Sequence, residues 1–469
     1  MKTESCERER TDSEASIGAG CTKVAFTTFG CRLNQYDTES LRTLLQASAR
    51  FETVDRSAEP DVFVVNTCSV TAQADAAARK AIRRIHSRHP GARIVVAGCY
   101  AQRAPHELAA IEGVSLVIGA ADRERIAEEI ERAAPPGAAR LAVSPIEDAR
   151  TFLEVPIAEM TERSRAFVKI QEGCDEACAF CIIPQTRGRS RSRALPNVVV
   201  QVERLLDAGY SEVVLTGVHL GDYGMDLDGR RLLSDLIRRL LRLPGLSRLR
   251  LSSIEPASIS EELIDLMASE RKFARHFHIP FQSGNDEILR RMGRRYSAAG
   301  FRSLVERIAN RIPGCGIGSD VICGFPGESD SHFQDTFDLL VELPVTYIHP
   351  FTYSNRPGSA SAGFDGQVPG EVKKRRTRAL KRLSAVKTEA AQSVHLGEVV
   401  EVLAEVGQGT YRQFAPRANA VETRGWTDNY LRVRCISSAP IADGKPVSVQ
   451  LERLEDAELI GTVVSGGSA

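Results

Sequence analysis

The sequence lacks any apolar run approaching the roughly 18–20 residues that span a bilayer. Its first thirty residues are charged and have no apolar core of the kind a secretory leader carries. Both absences predict a cytoplasmic protein with no membrane partner. An excess of charge of either sign is missing too. With 61 Lys and Arg against 61 Asp and Glu, net charge gives no pull toward nucleic acid, and only a one-sided distribution could supply one. Internal repeats and extended low-complexity segments are absent. Glycine (36) and proline (21) are at ordinary abundance for 469 residues, with 42% hydrophobic and 26% charged. That composition excludes collagen-like and globally disordered chains and fits a globular protein. The length allows about two to four domains.

What is present is an odd number of cysteines, 11. In a reducing compartment a disulfide framework is disfavoured, so metal, cluster or catalytic roles come forward. Residues 1–21 are polar, without apolar periodicity, and read as a flexible arm. From Lys23 short apolar runs (24–29, 62–66, 93–98, 115–119) alternate with helical stretches, the pattern of a parallel-sheet α/β domain over 22–136. A Pro-containing stretch marks a linker at 137–159. Six further strand–helix units over 160–392 predict a partial (β/α)6 barrel, since a complete eight-strand barrel needs about 250 residues. A basic run at 373–382 is either an RNA contact or the solvated face of a helix. Residues 393–465 alternate and are β-branched, as in a small β-barrel.

The strongest local signal is GCDEACAFC, with Cys174, Cys178 and Cys181 directly after the strand 167–171. Three thiolates at this spacing can hold one cluster in a tight loop and leave one iron without a protein ligand. The competing reading is a zinc site short of one ligand, in a non-catalytic RNA-binding protein; structural zinc favours four ligands in paired motifs. The second group is dispersed. Cys31, Cys68 and Cys99 each follow a predicted strand of the first domain. All strand carboxyl ends of a parallel sheet lie on one edge, so topology brings the three together. Each alone reads as a small buried apolar residue; three in the same strand-end position point to a second three-cysteine cluster. Cys6, Cys21, Cys315, Cys323 and Cys435 are taken as non-ligands.

From about residue 22 to 465 the chain resembles the radical S-adenosylmethionine methylthiotransferases. The resemblance is carried by GCRLNQYDTES (30–40), NTCSVTAQAD (66–75), AGCYAQ (97–102), KIQEGCDEACAFCIIPQTRGRSRSR (169–193), LTGVHLGDYG (215–224), HIPFQSGND (278–286), SDVICGFPGE (319–328) and GWTDNYLRV (425–433). It implies a radical S-adenosylmethionine barrel flanked by a cluster-bearing α/β domain and a C-terminal RNA-binding TRAM module. It also implies two [4Fe-4S] clusters, one on Cys174, Cys178 and Cys181 and an auxiliary one on Cys31, Cys68 and Cys99. S-adenosylmethionine serves as methyl donor and as radical source. The partners implied are tRNA, a flavodoxin- or ferredoxin-type electron donor and a sulfur donor.

Within the family three substrates compete: isopentenyladenosine in tRNA, an aspartate of a ribosomal protein, and threonylcarbamoyladenosine beside the anticodon. The motifs look most like the third branch. Arg187, Arg189, Arg191 and Arg193 sit in a stretch with no acid. Such a cationic stretch suits a substrate carboxylate and gives an apolar isopentenyl group nothing. Glu255, Gln282 and Ser283, after barrel strands, are candidate contacts to S-adenosylmethionine. Arg412, Trp426 and Tyr430, with RRMGRR (290–295), are candidate RNA contacts. Gln185 departs from the aromatic usual at its position.

Overall fold

The computed structural model describes residues 21–133, 138–161, 163–228, 232–405 and 421–464. The predicted arm, apart from Cys21, lies outside them, as does Arg412. In the first domain β1 (Thr22–Thr28), β2 (Phe51–Thr53), β3 (Val62–Thr67), β4 (Arg93–Gly98), β5 (Val114–Ile118) and β6 (Arg140–Ala142) form one parallel sheet, ordered β2-β1-β3-β4-β5-β6. Side-chain alternation along the strands feeds both faces. Val24, Val64, Val95 and Leu116 pack under α1 (Arg32–Gln46) through Leu41 and Leu45. Val65, Ile94, Val96 and Val117 pack under α2 (Ala72–Arg88) through Ala78 and Ile82. Burial of each of these Val, Leu and Ile side chains contributes roughly 1.5–3 kcal/mol. Strand β6 lies inside the stretch read as a linker: its three residues pair with β5 and are too few to show a period.

The central domain is the open six-strand barrel that the alternation predicts. Strand β7 (Ala166–Lys169) leads into a short antiparallel ribbon, β8 (Gln171–Glu172) with β9 (Arg191–Ser192), which ties off the base of the cysteine loop. The remaining barrel strands are β10 (Glu212–Thr216), β11 (Arg248–Leu251), β12 (His276–His278), β13 (Gly316–Cys323) and β14 (Tyr347–Thr352). Two three-stranded parallel sheets, β7-β10-β11 and β12-β13-β14, meet through the bridges Leu249–Phe273 and Ser253–His278. The basic run falls on the helix Gly370–Ser393, where Lys374, Arg375, Arg378, Lys381 and Arg382 are exposed while Arg376 turns inward to Glu328 at 2.6 Å. Among the described residues no helix is long and apolar enough to cross a membrane.

The last five strands, β15 (Val399–Glu405), β16 (Val421–Trp426), β17 (Arg432–Ser437), β18 (Pro446–Glu455) and β19 (Glu458–Val463), close into a barrel in the order β15-β16-β17-β19-β18. It docks on the central domain through buried charge. Glu212 takes Arg250 Nε at 2.9 Å and Arg248 Nη1 at 3.1 Å. Arg250 also donates to the carbonyls of Thr427 (2.9 Å) and Asp428 (2.8 Å). Burial works to raise the Glu212 carboxyl, but the three arginines 250, 248 and 165 outweigh it and hold it at about 2.

Candidate active site

Every cysteine of the dispersed triplet sits just past the carboxyl end of a strand: Cys31 after β1, Cys68 after β3, and Cys99 after β4, opening the helix Cys99–Arg103. All three line one cavity of about 400 Å³. Close approach is built into the backbone. Gly30 has φ +111°, and a Cβ there would lie 2.7 Å from Cys68 Cβ. Burial pushes the Cys68 thiol up to about 12, with Cys99 and Cys31 adding to the rise. A soft metal that displaces those protons would relieve the clustering of thiols.

The compact triplet occupies the loop between β8 and β9. Gly173, with φ +75°, lets this loop pass the segment Gly188–Arg189 beside it; a Cβ would meet Arg189 O at 1.9 Å. The backbone N–H groups of Glu176 and Ile183 donate to the sulfurs of Cys174 and Cys181, each at 3.4 Å. Arg294 Nη1 donates to Cys178 Sγ at 3.3 Å and also pairs with Glu255. Burial raises the Cys174 thiol to about 12 and the Cys181 thiol to about 11. Cys181 lines a second cavity of about 220 Å³ with Gln282, Ile322 and Tyr353. Val70, Ile183 and Asp320 belong to the walls of both cavities. The dispersed triplet and Cys181 of the compact one therefore face adjoining chambers. The sulfur-only donor sets, each with a charged or backbone donor at a sulfur, fit iron–sulfur ligation, in which hydrogen bonds to sulfur tune the cluster.

A buried ion network joins the two sites. Asp37 of α1 takes Lys169 at 2.7 Å, Arg123 at 2.6 Å and Arg187 at 2.7 Å. Glu172 takes Arg123 at 2.7 Å, Arg187 at 2.8 Å and Lys169 at 2.9 Å. Arg187 continues to Asn34 Oδ1 (2.8 Å) and to Cys99 Sγ (3.3 Å). Three cations thus face two carboxylates, leaving one positive charge in surplus beside the dispersed cysteines. Burial opposes ionisation of Asp37, yet Arg123, Arg187 and Lys169 hold its carboxyl at about 2.

The sequence expectations fare unevenly here. Gln282 lines the Cys181 cavity with a left-handed backbone, φ +71°, a conformation a non-glycine residue holds only where its surroundings enforce it. Glu255 reaches the compact triplet through Arg294. Ser283 lines neither cavity: it is buried, with its hydroxyl 3.4 Å from Thr336 Oγ1. The four arginines read as a cationic pocket are mostly internal. Arg187 serves the ion network, Arg191 donates to the carbonyls of Ala149 and Arg189, and Arg193 pairs with Glu154 at 2.7 Å. Charge density alone does not show which way a side chain turns: buried carboxylates capture Arg187, backbone carbonyls capture Arg191, and Glu154 captures Arg193. Arg189 is 75% exposed, 3.6 Å from Asp175, and lines neither cavity. In RRMGRR, Arg294 turns to Cys178 rather than outward. Gln185 is accommodated by a bond to Gly358 O at 2.6 Å.

Tyr430 and Trp426 are drawn into the joint between barrels. Tyr430 (φ +68°) stacks on His276 with centroids 4.4 Å apart and lines the Cys31 cavity. Trp426 stacks on Tyr430 at 4.4 Å and donates from Nε1 to Glu405 at 2.9 Å. The sequence reading missed Asp320, which His278 Nε2 (2.9 Å) and His349 Nδ1 (3.5 Å) approach at the shared wall. Burial works against its charge, but these bonds hold the carboxyl at about 2. The SDVICGFPGE motif contains it without marking it.

Residues 168–340 match the Radical SAM superfamily, and residues 23–119 match a family described as Uncharacterized protein family UPF0004. The chain is 38% identical over 410 residues to the threonylcarbamoyladenosine tRNA methylthiotransferase MtaB of Bacillus subtilis, covering 87% of this chain and 89% of that one. It is 38% identical to the protein of the same name from Aquifex aeolicus, covering 81% and 92%. Among solved structures, the radical S-adenosylmethionine methyltransferase TsrM of Kitasatospora setae shares the fold, with a TM-score of 0.52 at 19% identity over 71% of this chain and 75% of that one. On extent and identity, this chain belongs to the radical S-adenosylmethionine methylthiotransferases.

Proposed function

We propose that the protein places a methylthio group on C2 of threonylcarbamoyladenosine next to the anticodon of tRNA, using two [4Fe-4S] clusters and S-adenosylmethionine. The observation that carries this reading is the pair of adjoining chambers, one lined by Cys31, Cys68 and Cys99 and the other by Cys181 of the compact triplet, sharing Val70, Ile183 and Asp320. Cys174, Cys178 and Cys181 would hold one cluster, and Cys31, Cys68 and Cys99 the other. When bound, these groups supply reductive cleavage of S-adenosylmethionine and delivery of sulfur.

The chain supplies placement. Arg294 fixes Cys178 and Glu255 relative to each other. Arg187 ties the Cys99 sulfur to the floor of the radical barrel, so the two domains hold their cysteines in one frame. Gln282, fixed in its left-handed conformation, would be one of the residues that hold S-adenosylmethionine. The Tyr430–His276 stack closes one side of the chamber against water. The C-terminal barrel is read as the TRAM module, with the exposed cationic face of helix Gly370–Ser393 beside it as the RNA-facing charge. Residues 22–136, 160–392 and 393–465 are the three working units.

The test is anaerobic reconstitution followed by turnover of anticodon stem-loops that carry threonylcarbamoyl- or isopentenyl-adenosine. Methylthiolation of the first, with about eight irons per chain for two four-iron clusters, is the expected result. Cys31→Ala and Cys174→Ala are each expected to remove about half the iron and to abolish product. Stoichiometric zinc without iron would refute the reading.

A further inference from the structure

Two guanidinium groups line the cavity of Cys31, Cys68 and Cys99: those of Arg187 and Arg32. Arg187 is fully committed to Asp37, Glu172, Asn34 and Cys99. Arg32 is not. Among the described residues no carboxylate pairs with it, and its Nη2 donates to the hydroxyl of Tyr430 at 3.0 Å. The cavity wall also carries buried polar atoms without partners among the described residues: Thr216 Oγ1, Ser252 Oγ and His276 Nδ1. Buried polar atoms are rarely left so, and all three belong to residues of this one wall. The carboxylate on the wall, Asp320, is held by His278 and His349, so Arg32 is a cation of this wall with no carboxylate partner among the described residues.

We propose that Arg32 binds the carboxylate of the substrate's threonylcarbamoyl group and so selects this adenine over one bearing an apolar N6 substituent. The proposal rests on the substrate reading above. Arg32 follows Cys31 directly. On adenine, C2 and C6 are the two carbons flanking N1, so the reacting hydrogen and the N6 substituent leave the ring along one edge. A residue adjacent to a cysteine of the sulfur-donating site is therefore in position to meet the substituent. The planar guanidinium matches a carboxylate with two parallel bonds, a geometry an ammonium does not reproduce. Arg32 takes the role that charge counting gives to Arg189.

The experiment measures dissociation constants and KM against kcat for the cluster-loaded protein. Its substrates are stem-loops carrying threonylcarbamoyladenosine, its carboxyl methyl ester, or plain adenosine. Arg32→Gln is expected to weaken the carboxylate-bearing stem-loop roughly 10- to 100-fold, the range for a lost charge-assisted bond. It is expected to leave plain adenosine and iron content unchanged, and Arg32→Lys is expected to recover part of the loss. Wild-type protein is expected to bind the ester as weakly as Arg32→Gln binds the acid, which keeps the test decisive if the variants fold poorly. Equal losses on the acid and on plain adenosine would make Arg32 a general phosphate contact and overturn the proposal, as would an ester bound as tightly as the acid. If wild-type protein instead methylthiolates only the isopentenyl stem-loop, the substrate reading falls, and that result is distinct from either failure.

Discussion

Replacing Arg187 by methionine keeps most of the side-chain volume and removes its bonds to Asp37, Glu172, Asn34 and Cys99. Breaking a buried charge pair by removing one partner typically costs about 3–5 kcal/mol. Here Asp37 and Glu172 each keep Arg123 and Lys169, so neither carboxylate is stranded, and the loss should fall at the lower end, about 3 kcal/mol. The same change removes the surplus positive charge beside the dispersed cysteines and the donor to the Cys99 sulfur. The assay is urea unfolding of the metal-free protein, paired with iron analysis after reconstitution. Arg189→Met, on an exposed side chain in the same segment, is the control and is expected to change neither. Arg187→Met should lower stability by about 3 kcal/mol and reduce iron by up to half, with the loss confined to the dispersed site. A change below about 1 kcal/mol with full iron would show that the network is not what joins the two sites.

Asp37 has its carboxyl lowered from 3.8 to about 2 in the folded chain. A depressed folded pKa contributes stability above pH 4, and that contribution is lost as pH falls toward 2. About 2 kcal/mol is at stake, so Asp37→Asn should flatten the acid limb of the stability curve, read by thermal unfolding at stepped pH. Arg250→Met should free the C-terminal barrel: protease nicking within residues 427–430 is expected to rise sharply, and unchanged resistance would contradict the docking role given to Glu212 and Arg250. Gly173→Ala, whose Cβ would meet Arg189 O at 1.9 Å, should cost the iron of the compact site and spare the other, as read by iron analysis of the variant.

Most of the architecture can be read in advance because its signals are local. Buried parallel strands such as Val62–Thr67 are continuous apolar runs, and the compact cysteine triplet is contiguous. The dispersed cysteines are legible only through topology, which puts the carboxyl ends of β1, β3 and β4 on one edge. Strand Val421–Trp426 is hidden by its charged residues and Gly425, since a small barrel buries only alternate side chains. The ion network draws on positions 37, 123, 169, 172 and 187, charges that look like surface residues until the fold brings them together. For the same reason three of the four arginines assigned to the substrate turn inward. Arg32 carries no signal beyond its adjacency to Cys31; what distinguishes it is that no carboxylate among the described residues pairs with it, and that is visible only in three dimensions.

The central claim concerns one carbon of one nucleoside, and nucleoside mass spectrometry of tRNA from cells with and without this gene tests it most directly. The account predicts loss of 2-methylthio-threonylcarbamoyladenosine and accumulation of its precursor lacking the methylthio group. Loss of the isopentenyl analogue instead, or no change in any tRNA nucleoside, would contradict it.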